Sequence, residues 1–150
     1  WIGGTGGLVR IGEADGALAS VHGHPTVALA VASHGDAVVF ASNHKVFVVD
    51  RAGKTKPRAI DKYFGEPMLA VSTDGTLALL HEEHGVHLID VAKGKRIFSH
   101  RLEAVEHAIT DAVDAVLFDR EGVPCGRHGA HTIRIDVEIL VEGTAEERRG

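Results

Sequence analysis

One stretch of the chain repeats another at a distance of 40 residues. Residues 70–90 read AVSTDGTLALLHEEHGVHLID, and moving them back by 40 positions superposes them on residues 30–50 without a gap. The coinciding residues include glycine, histidine and aspartate pairs: Gly35 with Gly75, His44 with His84, and Asp50 with Asp90. A fixed period of about 40 residues is the mark of a repeat architecture, in which each unit buries its faces against its neighbours. This period restricts the fold more than any other feature of the sequence.

Short apolar runs separated by turn residues fill each repeat. The runs predict these strands in the two full units: 26–32, 37–42 and 46–50, then 68–72, 76–80, 86–91 and 96–100. Asp74 and Gly75 stand between two such runs, and both residues tolerate the positive φ of a tight hairpin turn. Short strands with turn signals at intervals of about 8–12 residues predict an all-β fold of antiparallel sheets rather than βαβ units.

Both ends of the chain extend this pattern less regularly. Residues 8–11 and 17–21 predict two strands, and the glycine cluster before them is interpreted as a tight turn, because a phosphate-binding loop would need a following helix. A third unit is predicted with strands at 114–118, 132–136 and 137–141. Residues 119–130 are then an inserted loop, since Asp136 follows Asp90 by 46 residues instead of 40. Residues 102–116 show some helical periodicity, but the match to the earlier units favours a strand near 107–112.

The second full unit carries a recognisable order of turns and strands. Residues 72–75 read Ser-Thr-Asp-Gly and lead into a strand, and residues 85–95 contain a glycine turn, a strand ending in Asp90 and a Gly-Lys turn. This order resembles a blade of the bacterial WD-repeat-like β-propellers. Gly23 and His24 are similar to the Gly-His pair that precedes the first strand of such a blade. Residues 1–10 resemble the opening of propeller repeats in bacterial sensor proteins.

The resemblance implies a partial ring of propeller blades, each a four-stranded antiparallel sheet. It covers residues 1–141, with blade segments at 1–22, 26–61, 66–103 and 105–141, and a polar tail or linker at 142–150. Val49, Ile89 and Ile135 stand where WD repeats have Trp, so we interpret the propeller as degenerate. About three and a half blades leave two sheet faces uncovered, so we expect another protein or the remainder of the same propeller to cover them. The start at Trp1 instead of Met favours a piece of a longer chain.

Composition disfavours several function classes. The net charge is -5 and no cluster of Lys and Arg forms a stripe, which disfavours nucleic acid as a partner. No apolar run reaches the roughly 20 residues needed to span a bilayer, so no membrane association is predicted. The single cysteine, Cys125, excludes an internal disulfide and is typical of a reducing compartment, so we expect a cytoplasmic location.

Three of the eleven histidines are spaced three residues apart. His81, His84 and His87 would share one face of a helix, but in a hairpin neighbouring positions alternate between two faces. A metal site needs three or four converging ligands. We expect His81 and His84 to flank the turn and His87 to lie in the next strand. We therefore interpret the three as solvated histidines at a turn and predict no metal and no other cofactor. Aspartates at the ends of third strands are interpreted as turn residues that accept backbone N–H groups: Asp50, Asp90 and Asp136.

Histidines also fall at corresponding turns of the units, and the repeat register places four of them near one rim: His24, His44, His84 and His107. A rim of imidazoles would make partner binding sensitive to pH. The inserted loop at residues 119–130 is a further candidate surface, because loops on a rigid frame carry recognition. The residues predicted to bind a partner are His44, His84, Arg120, Arg127 and His128.

The sequence contains no catalytic signature. Gly-x-Ser-x-Gly, Cys-x-x-Cys and His-Glu-x-x-His are all absent, and a Ser/His/Asp triad cannot be identified without a local motif. The predicted function is a non-catalytic protein–protein interaction or scaffold module, a propeller segment of a larger regulatory protein. Two alternatives stay open: a propeller accessory domain of an enzyme such as a hydrolase, and a ligand-sensing propeller of a bacterial signalling protein.

Overall fold

The computed structural model describes residues 1–101, 115–118, 124–128 and 131–134. These residues form fourteen strands and no helix: β1 (Ile2–Gly4), β2 (Gly7–Ile11), β3 (Leu18–His22), β4 (Ala28–Val31), β5 (Ala37–Ser42), β6 (Lys45–Asp50), β7 (Arg58–Lys62), β8 (Met68–Val71), β9 (Leu77–Glu82), β10 (Gly85–Asp90), β11 (Lys95–Arg101), β12 (Ala115–Phe118), β13 (Pro124–His128) and β14 (His131–Arg134). Within this part of the chain, no helix is available to cross a lipid bilayer.

The strands form four antiparallel sheets, in each of which strands adjacent in sequence are paired. Sheet 1 contains β1–β3, sheet 2 contains β4–β7, sheet 3 contains β8–β11 and sheet 4 contains β12–β14. The pairing register repeats between units, since Val39 lies opposite Val48 and Leu79 lies opposite Leu88, 40 residues later. The sheets do not close into a barrel. The prediction of an all-β fold built from antiparallel sheets is confirmed.

The central strands of sheets 2 and 3 are buried on both faces. In β5, Val38 and Phe40 pack with residues of sheet 1, whereas the alternate residues Val39 and Ala41 pack with residues of sheet 3. In β9, Leu80 packs in the same cluster as Val39, whereas its neighbour Leu79 points to the opposite face of sheet 3 and packs in the cluster that includes Phe118 of sheet 4. Successive residues of a strand point to opposite faces, so a strand between two sheets needs apolar residues at every position. This explains why the runs in the sequence are continuously apolar.

Sheet 1 corresponds to the second, third and fourth strands of sheets 2 and 3. Gly7 and Gly85 show the equivalence, since each begins the third strand of its unit with a positive φ, 106° and 154°. A Cβ at Gly7 would overlap the carbonyl oxygen of His22, and one at Gly85 would overlap that of His100. Only glycine fits where the backbone of the outer strand comes this close.

The strand prediction is wrong at four places. Strands β1 and β7 were not predicted, because Ile2–Gly4 is rich in glycine and Arg58–Lys62 is largely polar. The predicted loop at 119–130 contains strand β13, whose Pro124 stands at the first position of the strand, where a missing N–H is tolerated. Strand β12 lies beside β8 and β9 as β8 lies beside β4 and β5. It is therefore the first strand of its sheet, not the second as the match of 114–118 to 36–40 predicted.

Other predictions fall on residues outside the described ones. They concern the strands at 107–112 and 137–141, His107, Arg120, Asp136 and the tail at 142–150. Of the segment with helical periodicity, residues 115 and 116 lie in β12 and the rest lies outside the described residues.

Candidate functional site

The residues predicted to bind a partner fall into two groups. His44 lies in the tight turn between β5 and β6, and His84 lies in the turn between β9 and β10, at the same edge of neighbouring sheets. Arg127 and His128 lie in β13, in a strand rather than in a loop, and Arg120 lies outside the described residues. The structure brings His44 and His84 to one surface.

An aromatic segment between β7 and β8 joins these two turns. The ring of Tyr63 is 5.7 Å from that of His44, and the ring of Phe64 is 4.9 Å from that of His84. The Tyr63 N–H donates to the His44 carbonyl, and the Glu83 N–H donates to the Phe64 carbonyl, both at 3.1 Å. Backbone hydrogen bonds on both sides therefore hold the segment in place. We call the four rings of His44, Tyr63, Phe64 and His84 the aromatic rim.

A groove of about 320 Å³ opens beside the aromatic rim. Its lining includes His24, Pro25, His44, Tyr63 and Pro67. Three of the histidines expected near one rim, His24, His44 and His84, thus lie at this edge of the sheets, whereas His107 lies outside the described residues.

The turn that carries His44 has an unusual backbone. Asn43 and His44 have φ values of 53° and 61°, the left-handed conformation that a type I′ turn requires at both central positions. Asn and His are the residue types, with Asp, that adopt this conformation most often among residues other than glycine. The tight turn thus holds the His44 ring against Tyr63.

A buried pair of polar side chains lies behind the aromatic rim. His87 of β10 and Glu82 at the end of β9 are only 5% and 2% exposed, and His87 Nε2 lies 2.8 Å from Glu82 Oε1. The second oxygen of Glu82 accepts the backbone N–H of Phe64 at 3.0 Å. The carboxylate therefore connects the core of sheet 3 to the backbone of the rim.

The other ring nitrogen of His87 faces two donors. Ser99 Oγ lies 2.9 Å from His87 Nδ1, and Arg96 Nη1 lies 3.2 Å from the same atom. A guanidinium can only donate, which assigns Nδ1 as the acceptor and places the ring proton on Nε2, toward Glu82. Arg96 Nε also donates to Asp61 Oδ2 at 2.7 Å, so the cluster joins β11 of sheet 3 to β7 of sheet 2. We call Asp61, Glu82, His87, Arg96 and Ser99 the polar cluster.

The environment determines the charge states of the two central groups. Burial lowers the pKa of His87 below its ordinary 6.5, and the positive charge of Arg96 acts in the same direction, although Glu82 opposes both. Burial alone would raise the pKa of Glu82, but the hydrogen bonds from His87 and from the Phe64 N–H outweigh it and lower that pKa below 4.5. At neutral pH the pair is therefore a carboxylate and a neutral imidazole.

Sequence reasoning did not find the polar cluster. The expectation that His87 is solvated is wrong, because its side chain is buried, whereas its predicted place in the strand after the turn is correct. The repeat alignment contains a signal for it: His87 stands where the previous unit has Phe47, and Glu82 stands where it has Ser42. Polar residues that replace core residues of a repeat need partners in the interior.

The opposite edge of sheets 2 and 3 forms a larger groove of about 540 Å³, and two of its charged side chains form hydrogen bonds to the backbone of the chain. Asp50 accepts the N–H of Lys54 at 2.7 Å, and Arg58 donates to the Val91 carbonyl at 2.8 Å. Asp90 likewise accepts the N–H of Lys93 at 2.9 Å. The interpretation of Asp50 and Asp90 as turn residues is confirmed. Among the described residues, no three His, Cys, Asp or Glu side chains converge to hold a metal ion.

Comparison with known proteins yields a structural similarity only. No family model and no curated protein matches the chain. Among solved structures it is similar to a chain of Kuenenia stuttgartiensis hydrazine synthase, with a TM-score of 0.55 and 17% sequence identity. The match covers 77% of this chain and 33% of that chain, so this chain spans about a third of the length of the protein it matches. An identity this low shows a shared fold and nothing about activity.

Proposed function

We propose that the chain is a segment of a degenerate β-propeller and that its aromatic rim binds another protein. The propeller is supported by the 40-residue repeat and by the face-to-face packing of successive sheets. It is also supported by the way in which the first strand of one sheet lies beside the first strand of the next. Such an arrangement is typical of blades placed around a central axis.

The observation that carries the binding function is the exposed ring of Phe64 at the centre of the aromatic rim. Phe64 is 45% exposed, although its own N–H and carbonyl are held by Glu82 and Glu83. An exposed aromatic ring on a fixed backbone loses little conformational freedom on binding, and aromatic residues dominate the energetic centres of protein interfaces. His44 and His84 flank it with imidazole groups that donate or accept hydrogen bonds.

The partner that suits this surface presents an apolar side chain to Phe64 and a polar group to the flanking imidazoles. Val27, which is 59% exposed, lines the adjoining groove and extends the apolar contact. Binding through Arg120, Arg127 and His128 of the third unit stays a prediction.

A site-specific cross-linking experiment tests this proposal. A photoreactive phenylalanine analogue replaces Phe64 in one variant. In a matched control it replaces Ile97, an apolar residue on β11 that is 53% exposed against 45% for Phe64. After irradiation in an extract of the source cells, we expect one discrete protein adduct at position 64 that is absent at position 97. The captured protein, once purified, should bind the Phe64→Ala variant at least about tenfold more weakly than the unmodified chain.

Equal adducts at the two positions, or unchanged affinity of Phe64→Ala, would contradict the assignment of the rim as the binding surface. Capture of an enzyme subunit at position 64 would favour the alternative in which the chain is an accessory domain of an enzyme.

A further inference from the structure

One exposed hydroxyl contacts the buried Glu82–His87 pair from outside. Ser99 lies on β11, the outer strand of sheet 3, directly opposite His87 in the strand register. Its side chain is exposed, whereas His87 and Glu82 are buried. The three residues form a line of hydrogen bonds, 2.9 Å from Ser99 Oγ to Nδ1 and 2.8 Å from Nε2 to Glu82 Oε1.

The direction of these bonds makes Ser99 a donor toward a basic nitrogen. Since Arg96 can only donate, His87 Nδ1 carries a lone pair, and the Arg96 N–H and the Ser99 hydroxyl both donate to it. The proton on Nε2 is held by a carboxylate that is itself fixed by the Phe64 N–H. A hydroxyl within reach of a base, with the base oriented by a third group, is the arrangement that activates a serine nucleophile.

We propose that Ser99, His87 and Glu82 form a hydrolytic site that cleaves small, activated carboxylic esters. A second contact between a serine and a histidine in the repeat lacks these features. Ser42 also contacts a histidine, His22, at 3.1 Å, but it is buried and gives its proton to the Pro25 carbonyl at 2.7 Å.

In the first step, Ser99 Oγ attacks the ester carbonyl carbon while its proton moves to His87 Nδ1. The imidazolium formed in this way is stabilised by Glu82, to which its Nε2–H already donates. The bond from the carbonyl carbon to the alcohol oxygen then breaks, and the alcohol leaves with the proton from Nδ1. The product is an acylated Ser99 and a neutral His87.

In the second step, water attacks the acyl-serine carbonyl and gives a proton to His87 Nδ1. The bond to Ser99 Oγ breaks, Oγ recovers the proton, and the carboxylic acid is released. Nδ1 has a single lone pair, so the Arg96 N–H that also lies on it turns away as Nδ1 takes the proton. In this proposal the released N–H then donates to the carbonyl oxygen on which negative charge develops. The open position of Ser99 on an outer strand suits a small acyl group.

The test uses the whole chain and p-nitrophenyl acetate as the probe. We expect a burst of p-nitrophenolate equal to one equivalent of protein, and an acetyl group on Ser99 in the peptide mass spectrum. Ser99→Ala should abolish the burst, because no acyl-serine can form, and should leave p-nitrophenolate release at least about 100-fold slower. The matched control is Ser20→Ala, since Ser20 is also exposed on an outer strand, β3 of sheet 1, but lies opposite Val9 instead of a histidine.

A second variant separates chemistry from folding. The double variant Glu82→Ser/His87→Phe introduces the residues found at the corresponding positions 42 and 47 of the previous unit. The strands can then pack with no buried carboxylate left without its donor, while the base is lost. We expect this variant to keep its circular dichroism spectrum and to lose the burst. In the unmodified chain the burst rate should increase with pH until His87 is neutral. Three charged groups act on the pKa of His87: Arg96 lowers it, whereas Glu82 and Asp61 raise it. Absence of a burst, a burst that survives in Ser99→Ala, or acetylation at other residues alone would overturn the proposal.

Discussion

Replacing Glu82 with glutamine tests the physical account of the polar cluster. Glu82 accepts two hydrogen bonds in the interior, from His87 Nε2–H at 2.8 Å and from the Phe64 N–H at 3.0 Å. Glutamine has nearly the same shape but only one acceptor oxygen, and its NH₂ group must face one of these two donors. The variant therefore leaves a buried donor without an acceptor.

The magnitude follows from the two losses. A hydrogen bond to a charged group contributes about 1.5–3 kcal/mol, and a buried donor left unsatisfied costs about 1–3 kcal/mol. Allowing for relaxation of the rim backbone, we expect Glu82→Gln to lower the free energy of unfolding by about 3 kcal/mol. The matched control is Glu83→Gln, since Glu83 is adjacent in sequence but exposed, and should change stability by less than about 0.5 kcal/mol.

Urea denaturation at pH 7.5, followed by far-ultraviolet circular dichroism, measures both variants on one scale. A second readout comes from hydrogen exchange of the Phe64 amide, which should become faster in Glu82→Gln and stay slow in Glu83→Gln, because only Glu82 accepts that N–H. If Glu82→Gln lost no more stability than Glu83→Gln, the assignment of a buried carboxylate that holds the rim would be refuted.

Two further predictions concern pH and the backbone. The folded state lowers the pKa of His87, so the unfolded chain binds more protons below pH 6.5. The contribution of His87 to stability is therefore complete above pH 6.5 and is lost as the pH decreases through that value. Between pH 7.5 and 5.5 the urea midpoint should shift less in His87→Phe than in the unmodified chain, and an equal shift would contradict this reasoning. Gly85→Ala should lower the thermal midpoint strongly, since the added Cβ would overlap the His100 carbonyl at a backbone φ of 154°. Gly6→Ala, in which the added Cβ has open space around it, should have little effect. Equal thermal midpoints for the two variants would show that the contact at Gly85 relaxes without cost.

The fold class and the strands of the two regular units could be predicted because their signals are local. Asp74 and Gly75 mark a turn wherever the chain lies, and a continuous apolar run of the length of β5 or β9 favours a strand buried on both faces. The signal is missing where pairing, not composition, makes the strand. Only Ile60 of β7 is buried, and that outer strand is held by its hydrogen bonds to β6.

The candidate site also has one part that could be predicted from the sequence and one part that could not. His44 and His84 could be placed at corresponding turns from the repeat alone, because a turn position is a property of a few neighbouring residues. Their contacts with Tyr63 and Phe64 could not be predicted, since the aromatic segment belongs to the connection between two sheets.

The sequence by itself determined the 40-residue repeat, the antiparallel all-β architecture and the turns that carry the rim histidines. The tertiary structure alone decided that Asp61, Glu82, His87, Arg96 and Ser99 meet. These residues come from four strands of two sheets, and each polar side chain is tolerated where it lies only because the others satisfy it. Hydrophobic periodicity predicts which residues are buried, but the hydrogen-bond partner of a buried polar group depends on how the sheets pack against each other.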